Sequence, residues 1–290
     1  IITYICCFIF IFISNVFSDN NNILIYICIF GIVTVLLVFY LILLRILKKF
    51  NVTMKKVLIS IGIITIIFLG GCFLYLNDYY HADLESISVI SYPNDIKREV
   101  LSNDTIVYSR DNSTTGIIFY PGGKVEYLAY EPLIIECAKF GYLCAVVDMP
   151  FNLAIFDVDA ASDVIKEYPE IENWYIGGHS LGGAMAASYA SDNIDNISGL
   201  ILLGAYSTKD LSNTSLNVIS IYGSEDKVLN MDKYNKYKSN LPKSFKEEVI
   251  IGGCHSYFGM YGEQSGDGKC LIKNTEQISK TMEFIYKNIK

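Results

Sequence analysis

The chain has 290 residues, 52% of them hydrophobic, and a formal net charge of −7. From Asn77 onward 18 basic side chains stand against 29 acidic ones, a formal charge of −11. Such a surface repels phosphate backbones and anionic lipid heads, which excludes nucleic acid as a natural partner.

Apolar residues are spread unevenly, and they divide the chain into a membrane-anchoring region, 1–76, and a second domain, 82–290. Three apolar runs occupy the first region: 1–17, 23–44 and 57–76. The second and third carry no charge and hold about 20 residues each, enough to cross a hydrocarbon core as helix. Two to three transmembrane helices are therefore expected. Arg45, Lys48, Lys49, Lys55 and Lys56 all lie between the second and third runs, whereas the connector "SNVFSDNNN" has no basic residue. Positive residues stay cytoplasmic, so the third run should lead outward and deliver the second domain to the extracytoplasmic side of a cell membrane. The chain opens on Ile1 rather than Met, and a natural start further upstream is expected. Two other readings stand beside this one. Met54-Lys55-Lys56 before the third run has the form of a natural start with a signal anchor, and "LGGC" at 69–72 has the form of a lipoprotein cleavage box. All three put the domain outside.

Short apolar runs then alternate with longer amphipathic ones. "GIIFY" (116–120), "LCAVVDM" (143–149), "WYIGG" (174–178), "GLILLGA" (199–205), "NVISIYG" (217–223) and "EEVIIGG" (247–253) read as strands bounded by Gly, Asn, Asp or Pro. Between them "EYLAYEPLIIECAKF", "AASDVIKEY", "LGGAMAASYASD" and "MDKYNKYKSNL" carry helical spacing, and the C-terminal stretch sets Ile278, Met282, Ile285 and Ile289 along one face. This alternation predicts an α/β fold: a mostly parallel sheet covered by helices on both faces. "SISVIS" and "DTIVYS" read as weaker early strands that add an antiparallel edge.

Of eight cysteines, Cys6, Cys7, Cys28 and Cys72 sit in the apolar runs. Cys137, Cys144, Cys254 and Cys270 belong to the domain at spacings without a metal signature, and they read first as small buried hydrophobes. Cys254 and Cys270 flank one glycine-rich loop, so a bridge between them is the alternative for a domain outside the membrane.

Reactive groups in parallel sheets gather beyond the carboxyl ends of strands. Ser180 lies there, after "WYIGG" and before an alanine-rich helix, within Gly178-His179-Ser180-Leu181-Gly182. That is the G-x-S-x-G nucleophile elbow, in which a strained backbone lifts the hydroxyl above the sheet and only tiny neighbours avoid a clash. A serine needs a base, and the chain has three histidines. His81 lies too near the anchor, and the side chain of His179, adjoining the serine, should point away. His255, just past the last strand, remains. An acid must hold that ring, and Asp226 meets both chain order and position, with Glu225 its nearest rival. For an oxyanion, the backbone N–H of Leu181 is one donor. The loop "FYPGGKV" offers the other, through Gly123 or its neighbour Lys124.

Beyond the elbow, "FYPGGKVE", "MPFNLAIFD", "YPEIENWYIGGHSLGGAMAASYA" and "GGCHSYFGMYGEQSGDG" make the chain resemble the α/β-hydrolase superfamily over 116–289. More closely it resembles the bacterial branch labelled alpha/beta hydrolase family 5. The resemblance implies the triad Ser180, Asp226 and His255, in agreement with the reading from the residues. Related dienelactone hydrolases carry a cysteine at the elbow, where this chain has serine. Many relatives insert a helical lid after the strand at 199–205, where this chain has only "YSTKDLSNTS", so an open site is expected, with Phe151, Phe156, Tyr257 and Phe258 as candidate lining.

The function these features predict is membrane-anchored serine hydrolysis of an ester or related acyl bond. The substrate would be a small molecule or an acyl group of the lipid or cell envelope. An acyltransferase with the same triad, or an inactive binding protein, are the alternatives. No phosphate loop, metal spacing or dinucleotide fingerprint occurs, so no cofactor and no metal are expected.

Overall fold

A computed structural model describes residues 52–289, together with 34, 37, 38, 41 and 45. The expected span at 1–17 and nearly all of that at 23–44 lie outside the described residues. The chain divides into two units, Ile1–Tyr75 and Leu76–Lys290.

The third apolar run lies within a 26-residue helix, α1 (Val52–Asn77), whose stretch Met54–Asn77 is long and apolar enough to cross a membrane. The rest of the chain builds one sheet. Residues 86–91 were expected as a strand, and here the structure differs. Asp83 accepts hydrogen bonds from the amide and hydroxyl of Ser86, an N-cap that starts a short helix instead, α2 (Leu84–Ser88). Then come β1 (Lys97–Val100), β2 (Ile106–Ser109) and β3 (Thr115–Tyr120). α3 (Glu131–Lys139) follows, with Pro132 in its first turn, and leads to β4 (Leu143–Val146). After α4 (Ala161–Glu167) the chain runs through β5 (Asn173–His179), α5 (Leu181–Asp192), β6 (Gly199–Leu203) and β7 (Asn217–Gly223). It finishes with α6 (Met231–Tyr237), β8 (Lys246–Ile250) and α7 (Asn274–Asn288).

The eight strands lie in the order β1-β2-β4-β3-β5-β6-β7-β8. β1 and β2 pair antiparallel, as does β2 with β4, and every later pairing is parallel. Alternation along β3 sends Ile117 and Phe119 to one face and Ile118 and Tyr120 to the other, where they join separate cores. α3 and α7 pack together on the first face, and α5 covers the second. β4 lies to one side of β3 and β5 to the other, so successive crossovers leave in opposite directions. Sheets of this kind bind their ligands at that point, here the carboxyl ends of β3 and β5.

Two disulfides brace the domain. Cys254 is bridged to Cys270, and Cys137 in α3 to Cys144 in β4. The second pair corrects the reading of Cys137 and Cys144 as unbridged hydrophobes. Helix α3 turns directly into β4 and brings their Cα atoms to 6.3 Å, within bridging range.

Ile118 is fully buried at the centre of the sheet. Ile118→Ala should lower the free energy of unfolding in urea by about 2–5 kcal/mol, the range for emptying a core site. A loss below about 1 kcal/mol would mean that this face of the sheet is not packed as described.

Candidate active site

Ser180 caps the N-terminus of α5 with φ 52 and ψ −119, a left-handed backbone for a residue with a Cβ. Its amide donates to the carbonyl of Leu203 at 2.9 Å, which pins the bend to the end of β6. The flanking glycines are required sterically. A Cβ at Gly178 would lie 2.5 Å from the carbonyl carbon of Gly182, and one at Gly182 would collide with the carbonyls of Tyr120 and Pro121. The bend, the end of β3 and the first turn of α5 are thus in backbone contact.

Two neighbouring strand ends supply the other groups. Asp226 follows β7, and its Oδ1 accepts from the amides of Val228 and Leu229 at 2.9 and 2.8 Å. This leaves Oδ2 directed at Nδ1 of His255, 2.7 Å away, with both side chains 1% exposed. Glu225, the rival acid, instead accepts from the hydroxyl of Ser224. Nε2 of His255 is buried and has no hydrogen-bond partner among the described residues, and so makes no hydrogen bond to the Ser180 hydroxyl. Gly204, next after Leu203, backs onto the pair: a Cβ there would meet Nδ1 of His255 at 3.0 Å and Oδ2 of Asp226 at 3.3 Å. Through Leu203 and Gly204 the serine bend and the imidazole–carboxylate pair share one wall.

The loop after β3 separates the two candidate oxyanion donors. The amide of Lys124 donates to the carbonyl of Asn152 at 2.8 Å, and that of Gly122 to the hydroxyl of Tyr130 at 3.1 Å. Among the described residues the amide between them, that of Gly123, donates to nothing. A Cβ at Gly123 would lie 2.9 Å from a methyl of Leu181, so Gly123 faces the first turn of α5. There the Leu181 amide belongs to the N-terminal turn, whose N–H groups have no intrahelical acceptor.

His179, expected to point away from the serine, is fully buried, and its ring centroid is 4.4 Å from that of His255. Its Nδ1 lies 2.7 Å from the hydroxyl of Tyr130. Burial above all, and the proximity of His255, hold its pKa well below the usual histidine range. It is a neutral wall against the imidazole. Sequence reasoning missed Tyr130, which holds both Gly122 and His179. It sits within an ordinary amphipathic stretch, and only the fold turns its hydroxyl to the loop. Of the expected lining, Phe151 and Phe156 are exposed and make an edge-to-face pair at 5.7 Å, whereas Phe258 is buried against His179. Exposed His81 stands 3.7 Å from Glu126.

The disulfide at Cys254 adjoins His255, and Asp267 accepts from the Ser256 amide at 2.9 Å, so the loop that carries His255 is tied at two points. Cys254, Cys270 and Asp267 form a compact group, but the bridge leaves it no thiolate to offer a metal.

At the end of β4, burial first and then the charges of Asp104 and Glu126 lift the carboxyl of Asp148 to about 6. Ionising it costs the folded state more than the unfolded chain, so the stability it contributes is lost as pH rises from about 4 through about 6. Asp148→Asn, which removes the titration, should raise the urea midpoint at about pH 7.5 and much less at about pH 4. An equal gain at both would contradict this environment for the carboxyl.

A family model described as the alpha/beta hydrolase family matches residues 116–279. No curated protein matches the chain. Among solved structures, one titled as a predicted CIB-like hydrolase from Thermoplasma acidophilum is 18% identical. The match covers 66% of this chain and 98% of that one, with a TM-score of 0.48.

Proposed function

For a chain that belongs to the alpha/beta hydrolase family, we propose a membrane-anchored serine hydrolase that cleaves an ester or related acyl bond outside the cell. The observation that carries this reading is the buried 2.7 Å contact between His255 and Asp226, set on strand ends adjoining a left-handed serine.

In this mechanism the Ser180 hydroxyl attacks the carbonyl carbon, and its proton passes to Nε2 of His255. Asp226 holds Nδ1–H, which fixes the tautomer and stabilises the imidazolium. The amides of Gly123 and Leu181 hold the oxyanion of the tetrahedral intermediate. The imidazolium then protonates the leaving group, and water admitted to the open site cleaves the acyl-enzyme by the same route. Apo sites of this kind are often loose between nucleophile and base, and substrate closes the gap.

α1 serves as the anchor, and the basic residues Arg45 to Lys56 ahead of its apolar stretch favour a domain delivered outward. Two disulfides in one domain support the same side, because bridges persist in oxidising compartments.

Ser180→Ala should lower kcat on 4-nitrophenyl acetate by about 10⁴- to 10⁶-fold, and Asp226→Asn by about 10⁴-fold, while Glu225→Gln stays within about threefold. A fluorophosphonate probe should label the parent protein at Ser180. Full turnover in Ser180→Ala, or probe attached elsewhere, would refute the assignment.

A further inference from the structure

The chain emerging from α1 is stitched to the catalytic face at once. Tyr80, three residues after Asn77, forms a parallel bridge with Val125. Its amide donates to the carbonyl of Lys124 at 2.7 Å, and its carbonyl accepts from the amide of Glu126 at 2.9 Å. Ala82 donates to the carboxylate of Glu126 at 2.9 Å, and Asp78 pairs with Lys124 at 3.0 Å. The same segment reaches the loop that follows His255, where Asp83 donates to the carbonyl of Met260 and the hydroxyl of Tyr80 accepts from the amide of Ser265. Three residues of chain span at most about 10 Å, and a strand pairing adds about 5 Å. Gly123, two residues before Val125, therefore lies within on the order of 20 Å of Asn77.

An exposed apolar surface adjoins that loop. Phe151, Ile155 and Phe156 are 47%, 57% and 58% exposed. Phe151 and Asn152 both take left-handed backbones, with φ 57 and 55, and Asn152 receives the Lys124 amide. The turn is therefore pinned beside Gly123 with its phenyl ring outward. Leu153 continues the surface inward: its methyl lies 3.5 Å from where a Cβ on Gly123 would stand. Phe151, on the strained turn, and Phe156 hold an edge-to-face pair at 5.7 Å in water, and exposed apolar side chains grouped this way mark a surface for an occupant. Between β6 and β7 no helix lies over the site among the described residues.

From this juxtaposition we propose that the substrate is a membrane-resident amphiphile. Its acyl chain runs from the bilayer across Phe151, Ile155 and Phe156, and its ester reaches Ser180 without leaving the lipid surface. The formal charge of −11 from Asn77 onward selects neutral or zwitterionic head groups over anionic ones. The inference rests on the anchored serine hydrolase reading and deepens it.

The test uses the full chain in phosphatidylcholine vesicles with two fluorogenic substrates, soluble 4-methylumbelliferyl acetate and a long-chain 4-methylumbelliferyl ester held in the bilayer. A flexible Gly/Ser insertion of about 20 residues between Asn77 and Asp78 frees the domain by an r.m.s. reach of about 25 Å without altering the site. The insertion should leave acetate turnover in place and lower the ratio of long-chain to acetate rate at least about tenfold. Phe151→Ser combined with Phe156→Ser should lower that ratio by a similar factor, as expected for losing two apolar contacts. A ratio unchanged by the insertion, or both rates falling together, overturns the membrane-resident substrate while leaving the hydrolase reading intact. Failure of fluorophosphonate to label Ser180 in the parent protein overturns both.

Discussion

A serine held at φ 52 and ψ −119 stores about 1–3 kcal/mol of backbone strain, and the surrounding chain is arranged to keep it there. The bend survives because Gly178 and Gly182 let three backbone segments touch, and because the amide of Ser180 is tied to the end of β6. The sheet's central strands, buried on both faces, supply the rigidity against which such a bend can be maintained.

From that bend the remaining parts follow strand by strand. The parallel order β3-β5-β6-β7-β8 delivers five consecutive carboxyl ends to one edge. Asp226 and His255 come from the last two of them, and the glycine loop from the first. The carboxylate spends one oxygen on two backbone amides, so its second oxygen has one clear partner, the imidazole. The neutral ring of His179 packs against that imidazole without adding a charge. Tyr130 links this wall to the loop that offers Gly123. For the proposed reaction, preorganisation of this kind would keep dipoles fixed where charge develops.

The parallel strands were legible because burial on both faces leaves near-continuous apolar runs such as "GLILL" and "LCAV". β1 was not, since Lys97, Arg98, Glu99 and Val100 are all exposed and its pairing is set by β2 rather than by its own pattern. The misread stretch at 86–91 turned on one side chain: Asp83 offers Ser86 two hydrogen bonds, and local capping outweighed the apolar alternation. The His255–Asp226 pairing was readable because histidines are few and strand ends limit the candidates. Tyr130 and the outward turn at Phe151 were not readable, because each depends on contacts between segments distant in sequence. The Cys137–Cys144 bridge likewise required the geometry of α3 turning into β4.

In the proposed mechanism Gly123 and Leu181 offer their amides to one oxygen above Ser180, with His255 behind it. The most direct measurement is a crystal structure of the full chain inactivated by a fluorophosphonate. The account predicts phosphorus bonded to the Ser180 oxygen and a phosphonyl oxygen about 3 Å from both amides. It also predicts the His255 ring still paired with Asp226. A phosphonyl oxygen turned to solvent, or an imidazole swung away from the adduct, would contradict it.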